Sequence, residues 1–314
     1  MAGIQPALAQ ASDWKPAKPI RMICSQAPGA STDATARALA EYFSGRFGVP
    51  VTVENKPGGV GLIAGEAVAR SPTDGLTLLV SLNSVLAQAP VLLKKPIIDP
   101  DKSLLPIASV GVGPIPAVVH KDFPAKTIRE VIARSKTHSV NVGNYAVGSG
   151  WQIMLDQLMK TTGAQFNVVN YKGTGAMIAD LYAGHIDMGA GSLAGLAGGL
   201  DKGLIKPVQV IFGAKSSRFP GVGTWADAGF RGPAFEDLLE FNLLMAPHGT
   251  PQKIIDALGQ AVLASVTESP RVQAVRQTLN AEDTPMLGAE LKDAVMRSWT
   301  TYRRLSLELG LSPE

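Results

Sequence analysis

A single cysteine, Cys24, stands among 314 residues, so no internal disulfide can form. It lies in Ile20-Arg21-Met22-Ile23-Cys24, an apolar run that reads as a buried strand, where a thiol packs as a small hydrophobe. Arg21 also spoils a lipoprotein-type cleavage pattern. Charge is scarce: 29 basic and 26 acidic residues leave a net charge of +3, with no dense basic run. Nucleic-acid binding needs such a patch and is not supported. Long apolar runs are missing too. Stretches such as Leu76–Val80 are cut by Gly, Ser, Thr or Asn well short of the roughly 20 residues of a spanning helix. The histidines, His120, His138, His185 and His248, are scattered and none has metal-ligand spacing with a partner. His185 and Asp187, two apart, read as a surface polar pair.

With 46% hydrophobic residues, the chain has the makings of a soluble globular protein long enough for two domains. Near its start, Ala7-Leu8-Ala9-Gln10-Ala11 has the small-residue pattern that precedes a signal-peptidase cut. Residues 1–13 therefore read as a residual signal-peptide tail and N-terminal arm, and a secreted protein is expected.

Strand-like and helix-like stretches alternate in two series, which predicts parallel sheets covered by helices. In the first, strands over 19–25, 51–54 and 76–81 alternate with helices over 31–47 and 62–70. In the second, strands over 117–120, 140–143, 167–170, 186–189 and 208–212 accompany helices over 128–136, 151–161 and 176–183. The C-terminal part reads as a strand over 241–246 and helices over 251–266, 270–279 and 289–309. Pro251 and Pro270 fit first turns, where the missing amide proton costs nothing. Two lobes follow, 14–112 plus 238–314 and 113–237, with crossings near 110–115 and 230–241. Ligands of open α/β sheets bind beyond the carboxyl ends of strands, so the crevice between the lobes is the natural site.

Two loops suit it. Ala27, Gly29, Ala30, Ser31, Thr32 and Asp33 follow a strand and open a helix, whose free amides and dipole favour an anion; Ser31 or Thr32 can equally serve as plain N-caps. Tyr145-Ala146-Val147-Gly148-Ser149-Gly150-Trp151 repeats the arrangement, with Gly148 and Gly150 exposing amides, Ser149 a hydroxyl, and Trp151 placed to wall the cleft or simply to pack. Together the loops make a pair of amide pincers for a carboxylate. Ser81, Asn83 and Ser84 follow another strand, as do Tyr171 and Lys172, and Ser192 follows Gly191; all are candidates for the same cleft.

Catalytic patterns do not assemble. Val147-Gly148-Ser149-Gly150-Trp151 lacks the outer glycines of a nucleophile elbow, and no Walker lysine follows a glycine-rich loop. Gly59-Val60-Gly61-Leu62-Ile63-Ala64 matches G-x-G-x-x-A and is the alternative, a dinucleotide-dependent enzyme. It follows the second strand, however, and residues 78–84 hold no acid for a ribose.

The order and spacing of several motifs resemble the substrate-binding proteins of tripartite tricarboxylate transporters, the Bug family. They are Lys18-Pro19-Ile20-Arg21 leading to Ala27–Asp33, Val53-Glu54-Asn55-Lys56-Pro57-Gly58-Gly59, Asp74-Gly75-Leu76-Thr77, Tyr171-Lys172-Gly173, Gly184-His185-Ile186-Asp187 and Ala246-Pro247-His248-Gly249-Thr250-Pro251. The resemblance implies a periplasmic α/β protein of type II, Venus-flytrap architecture, monomeric and without cofactor or catalysis, that delivers a small carboxylate to a membrane permease. It implies binding through amides, hydroxyls and waters of the loops at Ala27–Asp33 and Ala146–Trp151. Ala30 stands where the family usually has a second Gly, Gly191-Ser192 where an Asp is frequent, and Phe241-Asn242-Leu243 where Trp-Phe-Gly is usual. Trp151 is bulky where relatives carry a smaller polar residue, which raises the expectation of an aromatic, terephthalate-like acid beside that of an aliphatic dicarboxylate. A ligand sensor on the same fold remains an alternative.

Overall fold

The computed structural model describes residues 14–171 and 173–311; the expectations for residues 1–13 and for Lys172 lie outside the described residues. In the first half, β1 (Ile20–Cys24), α1 (Ser31–Phe47), β2 (Val51–Asn55), α2 (Leu62–Ala69) and β3 (Thr77–Leu82) alternate as expected. They are followed by α3 (Asn83–Leu92), α4 (Pro100–Ser103) and β4 (Leu104–Gly111). The chain then enters β5 (Ile115–His120), α5 (Ile128–Ser135), β6 (Val140–Asn144), α6 (Gly150–Thr162), β7 (Phe166–Asn170), α7 (Thr174–Ala183), β8 (Met188–Ala190), α8 (Leu193–Asp201) and β9 (Ile205–Phe212). It returns through α9 (Pro233–Glu236) to β10 (Phe241–Pro247) and closes with α10 (Gln252–Glu268), α11 (Pro270–Leu279) and α12 (Gly288–Glu308).

Among the described residues the strands form two five-stranded sheets, in the orders β2-β1-β3-β10-β4 and β7-β6-β8-β5-β9. The plan repeats. In each sheet four strands share one direction and one antiparallel strand is inserted next to the edge: β10 between β3 and β4, β5 between β8 and β9. The expectation of purely parallel sheets is thus corrected. The inserted strand is in each case the first to arrive from the other lobe, so its start lies beside the carboxyl ends of its neighbours: Asn242 pairs with Leu82, and Ala117 with Ala190. Both lobes therefore aim the same end of their sheets at the crossings.

Periodicity does not reveal β4, α3 and α8, nor the short α4 and α9. β4 contains Pro106, which argues against a central strand; β4 is an edge strand, where a missing ladder donor is tolerated. α3 carries Pro90 in its interior, and α8 reads Leu-Ala-Gly-Leu-Ala-Gly-Gly-Leu-Asp, with three glycines that lower helix propensity. Both helices form because their apolar faces are covered by neighbours: Leu86, Ala87 and Ala89 of α3 and Leu193 and Leu196 of α8 are buried. His185 pairs with Asp180, 3.3 Å away, and not with Asp187, whose carboxylate accepts the Asn141 N–H at 2.8 Å.

Crossing residue Gly113 has φ +73, and a Cβ there would sit 1.8 Å from the Leu279 carbonyl oxygen. Gly113→Ala is therefore expected to cost about 3 kcal/mol, from a left-handed backbone plus overpacking against main chain. Gly163→Ala has a similar φ of +70 and open space around it, and should cost only about 1 kcal/mol. Thermal melts of the two variants check the contrast.

Candidate functional site

The first loop leaves β1 at Cys24, and α1 begins at Ser31 behind an Ala30 N-cap that offers no side-chain acceptor. Neither Ser31 nor Thr32 caps the helix, so that reading falls away. Thr32 is 1% exposed and its hydroxyl has no hydrogen-bond partner. The opening turn of α1 is left as a set of backbone donors at the positive end of a 17-residue helix.

Asp33 has a different role from the one its position suggested. It is 3% exposed, and its carboxylate accepts from the Gly29 N–H at 2.9 Å, Arg37 Nε at 3.1 Å and Asn55 Nδ2 at 2.8 Å. Burial alone would push this carboxyl up. The hydrogen bonds from Arg37, Gly29 and Asn55, together with the Arg37 charge, outweigh it and hold the group below the usual carboxylate range. Asn55 also donates to the Gln26 carbonyl at 2.9 Å. Asp33 is thus the keystone of the loop. Gly29 (φ +86) stays exposed at the tip, with no atom within 4 Å of where a Cβ would stand.

The second loop is tied in the same manner. Gly148 N–H donates to Gln152 Oε1 at 2.7 Å, four residues on, as Gly29 does to Asp33. Ser149 caps α6 by accepting from the Gln152 N–H at 3.1 Å, and donates to Asn144 Oδ1 at 2.7 Å. Asn144, fully buried at the end of β6, donates in turn to Asn170 Oδ1 at 2.8 Å at the end of β7. The expectation that Gly29 and Gly148 themselves offer unpaired amides is therefore corrected: each is held by its own loop. Gly148 is also buried. A Cβ on it would lie 3.2 Å from Leu311 and 3.4 Å from Leu92, and its carbonyl accepts from Gln88 of α3. The second loop thus rests directly on the other lobe, while Ala146 and Val147 stay exposed.

Trp151 is no cleft wall. It is 0% exposed, packed in the core, and its Nε1 donates to the Gly143 carbonyl at 3.0 Å. The apolar face of α6 turns it inward, and with that the reason to expect an aromatic ligand is gone. Asn83 is likewise committed elsewhere: it donates to the Leu239 carbonyl and to Ser298 Oγ, both at 2.9 Å, and accepts from Trp299 Nε1 at 2.8 Å. Ser81 accepts from Ser25 at 2.8 Å in a buried pair. Ser84, at the start of α3, is nearly buried; its N–H donates to Glu240 Oε1 at 3.5 Å. Tyr171 gives its hydroxyl to Asp180 Oδ2 at 2.7 Å; burial first, then that carboxylate, push its pKa up to about 12. Ser192 caps α8 through the Gly195 N–H at 3.3 Å. Gly150 opens α6 beneath Phe212 and Tyr302.

The glycine turn at 59–61 leads from β2 into α2, but it faces α3. A Cβ on Gly61 would lie 2.6 Å from Val85 Cγ1, so the bare backbone makes room for a side chain rather than a pyrophosphate. Cys24 is fully buried, and burial raises its pKa. Among the described residues no group of three His, Cys, Asp or Glu is placed to hold a metal.

Sequence reading missed a group beside the second loop. Glu240, just ahead of β10, lies against Ser84 and within electrostatic reach of Tyr145 and Tyr302. Burial raises its carboxyl to about 7, against the opposing pull of Ser84 and the Phe241 main chain. Glu240 stands alone between Leu238-Leu239 and Phe241, and a single acid in an apolar run matches no motif of paired or spaced functional groups. A cavity of about 640 Å³ lies elsewhere, between β4, α10 and α12.

A family model described as the tripartite tricarboxylate transporter family receptor, TctC, matches residues 35–292. The chain belongs to the TctC family. The protein BugT of Bordetella pertussis is 31% identical over 270 residues, covering 84% of this chain and 81% of BugT. Two solved structures share the fold. A TctC solute-binding protein from Polaromonas superposes with a TM-score of 0.79 at 24% identity, covering 93% of this chain and 99% of that one. A Rhodopseudomonas palustris protein solved with adipate has a TM-score of 0.78 at 24% identity, covering 96% and 100%. This TctC chain is thus a two-lobed binding protein from a family of transport receptors and not of enzymes, which sets aside the dinucleotide alternative. No helix among the described residues is long and apolar enough to cross a membrane.

Proposed function

We propose that this TctC receptor captures a small aliphatic mono- or dicarboxylate between its lobes, in the periplasm, and hands it to a transporter permease. The observation that carries the reading is the uncapped first turn of α1 behind an exposed loop pinned by its own Asp33, matched in the other lobe by a loop braced in the same way. Preorganised donors bind an anion without the cost of ordering them. Ala27, Gly29, Ala30, Ser31 and Thr32 supply one jaw, with Asp33 behind them. Ala146, Ser149 and Gly150 supply the other, flanked by Ser84, Tyr171 and Ser192. The lobes, 14–112 plus 238–311 and 113–237, close by bending at the crossings, and a carboxylate touching both favours the closed state. The adipate-bound neighbour supports an aliphatic acid.

A thermal-shift screen over acetate, succinate, malate, adipate, citrate and terephthalate tests the reading. One aliphatic acid should raise Tm by several degrees at 100 times its Kd, where linkage supplies about 2.7 kcal/mol. No shift with any acid would sink it. Ser31→Pro, which keeps the helix start but removes one first-turn donor, should weaken the best ligand about tenfold at nearly unchanged Tm.

A further inference from the structure

We infer that Glu240 is a specificity-determining residue of this cleft, and that a carboxylate is captured together with one proton held on the Glu240 carboxyl group. The inference rests on the carboxylate reading above and deepens it.

Glu240 ends the return crossing and begins beside the carboxyl end of β3, since the next residues pair with Gly111 and Leu82. It lines a cavity of about 240 Å³ walled by both crossings, with Gly113, Gly213 and Phe241 among its neighbours. One carboxylate oxygen already occupies the start of α3, accepting from the Ser84 N–H at 3.5 Å. The protein has therefore placed a carboxylate of its own at a helix start next to the second loop, where a ligand carboxylate would also be drawn. Around it stand Ser84 of α3, Tyr302 of α12 and Tyr145 of the second loop. Tyr302 is fully buried, and its hydroxyl makes no hydrogen bond. Of the other charged groups of the cavity, Lys215 pairs with Asp227 at 3.1 Å, Glu282 accepts from Ser217 and Asn280, and the Asp283 carboxylate lies beside Gly111. Among the described residues no Lys, Arg or His forms an ion pair with Glu240.

An unneutralised carboxylate repels an incoming anion most strongly where water is excluded. The carboxyl is held near 7 before any ligand arrives. A second negative charge raises it further, so binding draws in a proton above neutrality. Protonated, Glu240 becomes a donor, to the ligand or to Tyr145 across the cleft. It thus favours ligands that tolerate a neutral acid at this pole over those that bring a fully ionised group against it.

The test uses adipate with wild type and Glu240→Gln, which keeps the shape and a donor but cannot ionise. Calorimetry at pH 6 and pH 8 should show wild-type affinity falling about tenfold, as a group titrating near 7 requires, and Glu240→Gln affinity staying flat. At pH 7.5, titrations in Hepes and in Tris should report uptake of roughly 0.8 proton by wild type and none by the variant. A ligand-free arm runs beside these: the Tm difference between Glu240→Gln and wild type should be smallest near pH 4, below the unfolded-state pKa, and grow in favour of the variant up to pH 8. Equal pH dependence of adipate affinity in both proteins, or a pH-independent Tm difference, overturns the inference while leaving carboxylate capture standing. Silence of adipate and of the whole acid panel at every pH overturns carboxylate capture, and proton-linked capture with it.

Discussion

Trp151→Ala should destabilise the protein by about 4 kcal/mol and leave carboxylate affinity at low temperature nearly unchanged. The side chain is among the largest of those completely buried, and deleting a buried Trp costs about 3–5 kcal/mol in lost transfer energy and residual cavity. The Gly143 carbonyl, at 3.0 Å from Nε1, loses its partner as well, for about 1 kcal/mol. The melting temperature should fall by roughly 10 °C, at about 2–4 °C per kcal/mol for a chain of this order of size. Trp151→Phe, which keeps most of the volume but not the donor, should lose less than half as much. A cleft-wall role demands the opposite pattern: weak binding with an unaltered melt. Differential scanning calorimetry paired with ligand titration at 15 °C separates the two.

The Trp151 case shows what local sequence conveys and what it does not. A glycine-serine-glycine loop followed by Trp at the first turn of a helix is compatible with either face of that helix, because one turn carries too few residues to fix its phase. Phase is set by Ile153, Met154, Leu155 and Leu158 together, all buried with Trp151 on the inner side of α6. The alternation of strands and helices was readable because each lobe keeps its apolar runs short and separate, and the strand-turn-helix motif placed both loops at the correct ends of β1 and β6. β4 and α3 were not readable, since their prolines oppose the local preference and only the sheet edge and the α12 contact make them regular. The bracing of the two loops was also hidden. Asp33 and Asn144 act through partners 22 and 26 residues away, Asn55 and Asn170, and such pairings follow from sheet order rather than from spacing in the chain.

Asp33→Ala should reduce carboxylate affinity about 100-fold and stability by about 2–3 kcal/mol. The carboxylate is the common acceptor for Gly29, Asn55 and Arg37. Its removal leaves the loop amide without an internal partner and turns the half-buried Asn55 amide back to Gln26 alone. Each lost charge-assisted bond is worth about 1.5–3 kcal/mol, discounted here because Arg37 is half exposed and regains water. The larger effect falls on binding. With residues 27–30 unpinned, capture must re-order several of them at about 1–2 kcal/mol each, and a net 2.7 kcal/mol corresponds to the hundredfold loss. Asp33→Asn retains one acceptor and should fall between. The acid side of the stability profile carries the same signature. Because the folded state holds this carboxyl below its ordinary value, its stabilisation is complete above the unfolded-state pKa and fades as pH drops through the lower folded one. Wild type should therefore lose Tm more steeply than Asp33→Ala between pH 5 and pH 3, so that the two melting curves converge in acid. Parallel curves would mean that Asp33 is not the group that holds the first loop in its binding conformation.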